Sequence, residues 1–348
     1  MISGELELIE MIRRQAAWAG SGSRAVRLGI GDDCAVLRPS PGHEICVTTD
    51  FTLEGRHFRR ACHPPESVGH RCLARGLSDL AAMGAEPLAV LLSLAVPARL
   101  PAAWIERFMK GFLSLARRYR VPLAGGDTAE SPAMARGRDG LIAIDIVAVG
   151  QVPRSQALLR LSTRPGDRIY VTGALGGAAA ELGALEKSPR KFAKLTRAVG
   201  GHPHFYPEPR LAVGHRLRAL AHAMIDISDG LSTDLAHVCQ ESRVAATIDE
   251  TALPIHPLAM ESRDPLGLAL NGGEEYELLF TAPASMHIPR RIAGVPIHRI
   301  GTMRRSSRGQ PMIVLNTHGG RQIPIKPGGW EHFREIEPRS YRKSAERI

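Results

Sequence analysis

Aromatic residues make up only 5% of the 348-residue sequence, and none of its five cysteines stands in a C-x-x-C pair. The first scarcity removes the stacking platforms on which single-stranded nucleic acids are held. The second, with Cys34, Cys46, Cys62, Cys72 and Cys239 scattered along the chain, argues against a disulfide framework and against a zinc site. A reducing, cytoplasmic compartment is expected. Long apolar runs are missing as well. The longest, Leu88 to Val96, is interrupted by Ser93 and stopped by Pro97, far short of the ~20 residues of a membrane helix. No membrane association is expected. The opening segment, MISGELELIEMIRR, carries acids early and lacks the basic-then-apolar order of a signal peptide. Its Leu6, Ile9 and Ile12 fit one face of a helix. No G-x-x-x-x-G-K-[ST] occurs, and GSGSRA at Gly20 has neither the spacing nor the preceding strand of a dinucleotide fingerprint.

What is present is the composition of a soluble globular protein, 44% hydrophobic and 23% charged. The length suits two domains. The formal charge of +10 is compatible with nucleic-acid binding, but the basic residues are dispersed and a small anionic substrate accounts for them equally. No nucleic-acid partner is expected. Strand patterns run over His43–Phe51, Pro87–Pro97 and Gly140–Val152. Helical ones run over Ser67–Gly84 and Ala102–Tyr119, the latter with Ile105, Phe108, Phe112 and Leu115 on one face. The arginine-rich stretch Ser131–Gly140 reads as an exposed loop. A new unit starts at Arg164–Gly173 with a turn and a strand, followed by a glycine-rich helix start. The proline-rich His202–Arg210 separates that helix from the next. The expectation is a mixed α/β protein of two domains, 1–155 and 156–348, with the boundary near 153–165 and no regular Rossmann-type alternation.

Acids recur at the ends of the apolar runs. GIGDDCAVL supplies Asp32 and Asp33, and VTTDF supplies Thr48, Thr49 and Asp50, with Thr48 and Asp50 on one face of a strand. GLSDLAAMGAEP supplies Asp79, and LAGGDTAES supplies Asp127 behind Gly125 and Gly126. IDISDGLSTDL supplies Asp226, Ser228 and Asp229, and GGEEYELLF supplies Glu274 and Glu275. Each alone suits a turn or a cap, and Ser228 or Asp229 could cap the helix that follows them. Together they are harder to explain so. Clustered carboxylates cannot all stay ionised unless cations hold them. Oxygen ligands without His or Cys point to Mg²⁺ shared with substrate phosphates, and the paired glycines let backbone N–H groups approach those phosphates. Metal-assisted phosphoryl transfer is the chemistry this composite suggests.

These six segments, in this order, resemble thiamine-monophosphate kinase of the PurM-like, AIR synthase-related ATP-binding superfamily, from about Gly29 to Phe333. The resemblance implies a two-domain PurM-like α/β fold and a homodimer whose N-terminal domains pair through their sheets. It implies that ATP gives its γ-phosphoryl group to thiamine monophosphate, making thiamine diphosphate with no covalent enzyme intermediate. By the same resemblance, Asp33, Thr48, Thr49, Asp50, Asp79, Asp127, Asp226 and Asp229 hold several Mg²⁺ ions. Gly126, Asp127, Arg160 and Ser228 contact ATP. His57, Glu274 and Trp330 contact the thiamine end, where an aromatic face suits a cationic thiazolium. One departure is Glu275, where the family shows Asp; its carboxylate either orients substrate or caps a turn. Two other readings stay open. Another ATP-dependent enzyme of the superfamily would keep the aspartates and change the acceptor pocket. A non-catalytic nucleotide-binding protein on this fold would have lost a metal aspartate.

Overall fold

The structure, a computed structural model, describes residues 5–20, 25–134, 139–192, 201–331 and 333. It opens with α1 (Glu5–Gly20) and a short ribbon of β1 (Val26–Leu28) and β2 (Val36–Leu37). The first layer follows in the order β3 (His43–Leu53), α2 (Pro65–Ala82), β4 (Glu86–Val96), α3 (Ala102–Tyr119), β5 (Leu123–Glu130) and β6 (Ala143–Pro153). Its sheet runs β3-β6-β4-β5, with only the β4–β5 pair parallel. Period-two alternation gives this sheet two unlike faces. Ile144, Ile146 and Ala148 of β6 and Val90, Leu92 and Leu94 of β4 are buried in one core with α2 and α3. The other face keeps Ile45, Val47 and Phe51 46%, 64% and 59% exposed.

The second layer contains β7 (Arg168–Thr172), α4 (Gly177–Lys187), α5 (Pro189–Phe192), α6 (Leu211–Leu217), β8 (Ala223–Asp226), α7 (Leu231–Glu241) and β9 (Val244–Asp249). It continues with α8 (Pro257–Met260), α9 (Pro265–Asn271), β10 (Leu278–Ala282), β11 (Arg291–Ile292), β12 (Val295–Arg305), β13 (Ile313–Asn316) and β14 (Gln322–Ile325). The sheet order is β14-β13-β9-β12-β7-β10-β8, with β11 beside β12. The edge strand β8 therefore ends at Asp226, close to α2. One apolar cluster runs from the first sheet through α2 and α6 to Met224, Leu278 and Phe280, so the two layers share a core.

Helix α2 is the piece that joins the layers. Proline at its first position presets the backbone of the opening turn, and Gly84, with φ of 66°, follows its end. It crosses α3 where both helices carry glycine. A Cβ on Gly69 would stand 2.0 Å from the carbonyl oxygen of Phe108, and one on Gly111 1.9 Å from that of Glu66. Backbones touch at that point, and no side chain fits between them.

The helix over 102–119 lies where the apolar spacing puts it, and β3, α2, β4 and β6 fall within three residues of the expected spans. The N-terminal helix is present but turned: Leu8, Ile12 and Ala16 are buried, whereas Leu6 is 83% exposed. Of the arginine-rich stretch, Pro132–Met134 are exposed and residues 135–138 lie outside the described residues. All five cysteines are free. Among the described residues, no helix is long and apolar enough to cross a membrane.

Candidate active site

Four side chains on one face of α2 open onto the space beside β8: Arg71, Arg75, Ser78 and Asp79, spaced for consecutive turns. Ser78 Oγ donates to Asp226 Oδ2 at 2.7 Å, and Thr48 Oγ1 donates to Asp79 Oδ2 at 2.5 Å. Arg75 Nη2 donates to Asp50 Oδ1 at 2.7 Å, and Arg71 Nη2 to Glu274 Oε1 at 2.5 Å. A cavity of about 620 Å³ lies between the layers. Asp50, Asp79, Asp226, Ser228 and Asp229 line it, as do His57, Glu274 and Trp330.

Electrostatics sets the aspartates apart from Glu274. Burial first, and then the charge of Asp79, push the Asp226 carboxyl up to about 7. Burial also raises Asp79, against the Thr48 hydrogen bond that pulls it down. Burial pushes Glu274 up too, but Arg71, His204 and Arg75 outweigh it and hold the group well below the carboxylate range. The aspartates call for cations, and Glu274 is a fixed anion close by, with Arg75 between it and Asp50.

A raised folded pKa means that the folded chain keeps its proton where the unfolded chain has lost it. The associated stability is full below about 4 and is lost as pH rises through the folded value. The metal-free protein therefore melts at a lower temperature at pH 8 than at pH 6.5. Mg²⁺, which takes up deprotonated carboxylates, raises the melting temperature more at pH 8 than at pH 6. A calorimetric scan of both forms checks this.

The turn that places Glu274 is strained. Glu274 and Tyr276 both have left-handed backbones, at φ of 61° and 53°, held by N–H bonds to the carbonyls of Ser228 (2.7 Å) and Ile227 (2.9 Å). This alternation sends Glu275 away from the cavity. Its Oε1 accepts from the Ala178 N–H at 3.2 Å, at the start of α4, whose N-cap Gly176 has no side chain to offer. Burial lifts its carboxyl to about 8. Glu275 thus serves a helix end, not the 620 Å³ cavity. Glu275→Ala is expected to lower stability by about 1–2 kcal/mol, and Glu275→Gln to leave KM for both substrates within twofold; a tenfold KM change in the Gln variant would contradict this.

The other expected residues divide. Asp33, Gly126 and Asp127 line a separate cavity of about 760 Å³ between α1, the 29–35 loop and β5. Register pairs Asp50 with Ile146, Ile146 with Leu92 and Leu92 with Gly126, so Gly126 sits three strands away, about 14 Å. Gly126 is also demanded by packing: its φ is 153° and a Cβ would stand 1.8 Å from the Leu92 carbonyl oxygen. Thr49 points to the open sheet face and donates to Asp145 at 2.7 Å. Arg160 is exposed and does not line the 620 Å³ cavity, although its charge reaches Asp79 and Asp226. His57 Nδ1 accepts from the Leu53 N–H at 2.9 Å. The Trp330 backbone N–H donates to the Asp229 carbonyl at 2.9 Å, and the Arg56 guanidinium stands 5.6 Å from the indole ring centre.

The turn that leads into α7 is held by a residue that sequence reading missed. The N-cap is Gly230, with no side-chain bond, and neither Ser228 nor Asp229 caps the helix. Asp234 holds the turn instead, its Oδ2 accepting from the N–H groups of Ser228, Asp229 and Gly230 at 3.1 Å each. Asp226, Ser228 and Asp229 are thereby left to the cavity.

Known proteins share this fold. Residues 31–152 match the AIR synthase related protein N-terminal domain and 164–311 the corresponding C-terminal domain. The thiamine-monophosphate kinase of Escherichia coli is 35% identical over 315 residues, which span 88% of this chain and 92% of the relative. The crystal structure of thiamine-monophosphate kinase from Stenotrophomonas maltophilia superposes with a TM-score of 0.73 at 36% identity, over 89% of this chain and 95% of that one. The structure of AaThiL complexed with AMPPCP and TMP superposes with a TM-score of 0.71 at 29% identity, over 95% and 97% of the two chains. The chain belongs to the thiamine-monophosphate kinase family of AIR synthase related proteins.

Proposed function

We propose that this protein transfers the γ-phosphoryl group of ATP to the phosphate of thiamine monophosphate, yielding thiamine diphosphate and ADP. The observation that carries the reading is the acid content of the 620 Å³ cavity: four aspartates line it, two of them raised by burial, together with Glu274, which is held as an anion. The relatives' activity and the AMPPCP and TMP bound to AaThiL support it.

Asp50, Asp79, Asp226 and Asp229 offer oxygen donors, and burial has raised two of them, which fits Mg²⁺. When bound, Mg²⁺ would neutralise these carboxylates and the phosphates of both substrates. Thr48 and Ser78 orient Asp79 and Asp226 through the hydrogen bonds described above. Ser228 lies beside the aspartates, where a hydroxyl can donate to a phosphate oxygen. Glu274 and the Trp330 face would take the thiazolium, one by charge and the other by its ring quadrupole. His57 lines the same cavity as a binding group. The acceptor is a phosphate oxygen, anionic already at neutral pH, so no general base is required.

The roles of Asp33, Thr49, Asp127 and Gly126 and of Arg160 toward ATP and metal follow the family pattern and are tested by Asp127→Asn and Arg160→Ala. We also propose two domains, 1–155 and 156–348, cytoplasmic residence in keeping with five free thiols, and a homodimer. The apolar row Ile45, Val47 and Phe51 on the open sheet face is the surface a second copy would cover. Val47→Glu with Phe51→Glu is expected to give a monomer by sedimentation equilibrium. The function itself is tested by incubating the protein with ATP, Mg²⁺ and thiamine monophosphate. Thiamine diphosphate that disappears with EDTA is expected; ATP binding without product would send the search to another acceptor.

A further inference from the structure

Behind Glu274 stands a pair of buried histidines that the reaction as described does not use. His63 lies in the turn before α2 and His204 in the proline-rich segment between α5 and α6; they are 4% and 1% exposed. Their protons can be located by elimination. The Arg59 backbone N–H points at His63 Nδ1, 3.1 Å away. The Arg59 carbonyl lies 3.3 Å from the same nitrogen, but it already accepts the His63 backbone N–H at 2.9 Å. At the far end of the pair an ionised Glu274 can only accept. On both grounds His63 Nδ1 accepts and the ring carries its proton on Nε2. The Cys62 thiol, 3.5 Å from the same nitrogen, is a donor too, so it agrees. His63 Nε2 lies 3.1 Å from His204 Nε2. The proton between them belongs to His63, so the His204 proton is displaced to Nδ1. That atom stands 3.4 Å from Glu274 Oε2, a long contact, and makes no closer hydrogen bond among the described residues. Burial, and then the charge of Arg71, keep both rings neutral, His63 down to about 3 and His204 lowered likewise.

We propose that His63 and His204 are positioning residues, a relay of fixed tautomers that aims the Glu274 carboxylate at the cationic ring of the substrate. Arg71 already pairs with Glu274, and Arg75 is shared with Asp50. A protonated imidazole would add a further positive charge beside a site meant for a cation. A neutral imidazole orients the carboxylate and leaves its charge for the ligand. Glu181 holds His204 in place by accepting its backbone N–H at 2.9 Å, and itself receives His202 at 2.5 Å. The identity of the cation rests on the function proposed above; the relay geometry does not.

Nitrogen NMR of the histidine rings in the intact protein reads the relay directly. The expected result is an Nε2–H tautomer for His63 and an Nδ1–H tautomer for His204, neither titrating between pH 8 and pH 5. Reversed tautomers, or a ring titrating near 6.5, would overturn the relay whatever the substrate is. Kinetics then reads its purpose. His204→Phe is expected to raise KM for thiamine monophosphate about tenfold, the scale of one hydrogen bond to a charged group, with kcat and KM for ATP within twofold. His204→Asn, whose amide can replace the Nδ1–H, should recover most of the loss. In a Glu274→Ala background His204→Phe should add nothing. An equal rise in both KM values, or the same rise without Glu274, would overturn the proposal. Should His204→Phe fail to fold, His63→Leu is read by the same criteria. If thiamine monophosphate is not turned over at all, the tautomers still decide the relay, so the two failures are separable.

Discussion

Asp226→Asn and Asp229→Asn each lower thiamine diphosphate formation about a thousandfold, or ~4 kcal/mol of transition-state stabilisation, while the protein stays folded. Asparagine keeps the size of the side chain and an oxygen that can accept from Ser78, so the 2.7 Å bond to position 226 survives. What is lost is charge. At Asp226 that charge is costly in the metal-free protein, because burial and the neighbouring Asp79 oppose it. Asp226→Asn should therefore raise the metal-free melting temperature while removing activity and the stabilisation by Mg²⁺. A purely structural role makes the opposite forecast, lower stability with activity kept. If both variants kept activity and its Mg²⁺ dependence, these aspartates would not belong to the metal site.

Gly111→Ala is expected to destabilise the protein by about 4 kcal/mol or more, at the severe end for single substitutions. The new Cβ would lie 1.9 Å from the Glu66 carbonyl oxygen and 2.6 Å from its carbon, contacts with backbone that no rotamer relieves. Helices α2 and α3 must separate, and α2 carries Arg75 and Asp79 into the cavity and holds Glu274 and Asp226 through Arg71 and Ser78. The melting temperature should drop by about 6 °C, and the variant that remains folded should bind Mg²⁺ poorly. A melt within 2 °C of the parent would show that the crossing has slack.

Much of this was legible before the structure. Helix α3 carries a single apolar stripe, Ile105, Phe108, Phe112 and Leu115, and only one way of burying it exists. In α1 two stripes compete, and periodicity alone cannot choose between Leu6–Ile9–Ile12 and the buried Leu8–Ile12–Ala16. The acids at strand ends announce a site because each sits beside its own apolar run. Which cavity they reach depends on strand register, and this is why Asp33, Gly126 and Asp127 part from Asp50, Asp79 and Asp226. The direction of Thr49 follows from alternation once Thr48 and Asp50 are known to face inward. Other features depend on partners far along the chain. Arg71 meets Glu274 across 203 residues, Ala178 meets Glu275 across 97, and His63 meets His204 across 141. No local pattern marks such pairs. Asp234 was readable in principle, an acid in the first turn of the helix that follows a glycine, but its three backbone bonds form only when the turn folds back.

Direct transfer of the γ-phosphoryl group within this cavity is reached most directly by a single turnover. The protein, in excess over γ-labelled ATP, is mixed with Mg²⁺ and thiamine monophosphate and quenched over time. One labelled thiamine diphosphate should form for each ADP, with no label on protein at any point. Label in inorganic phosphate alone, or on the protein before it reaches product, would contradict the account.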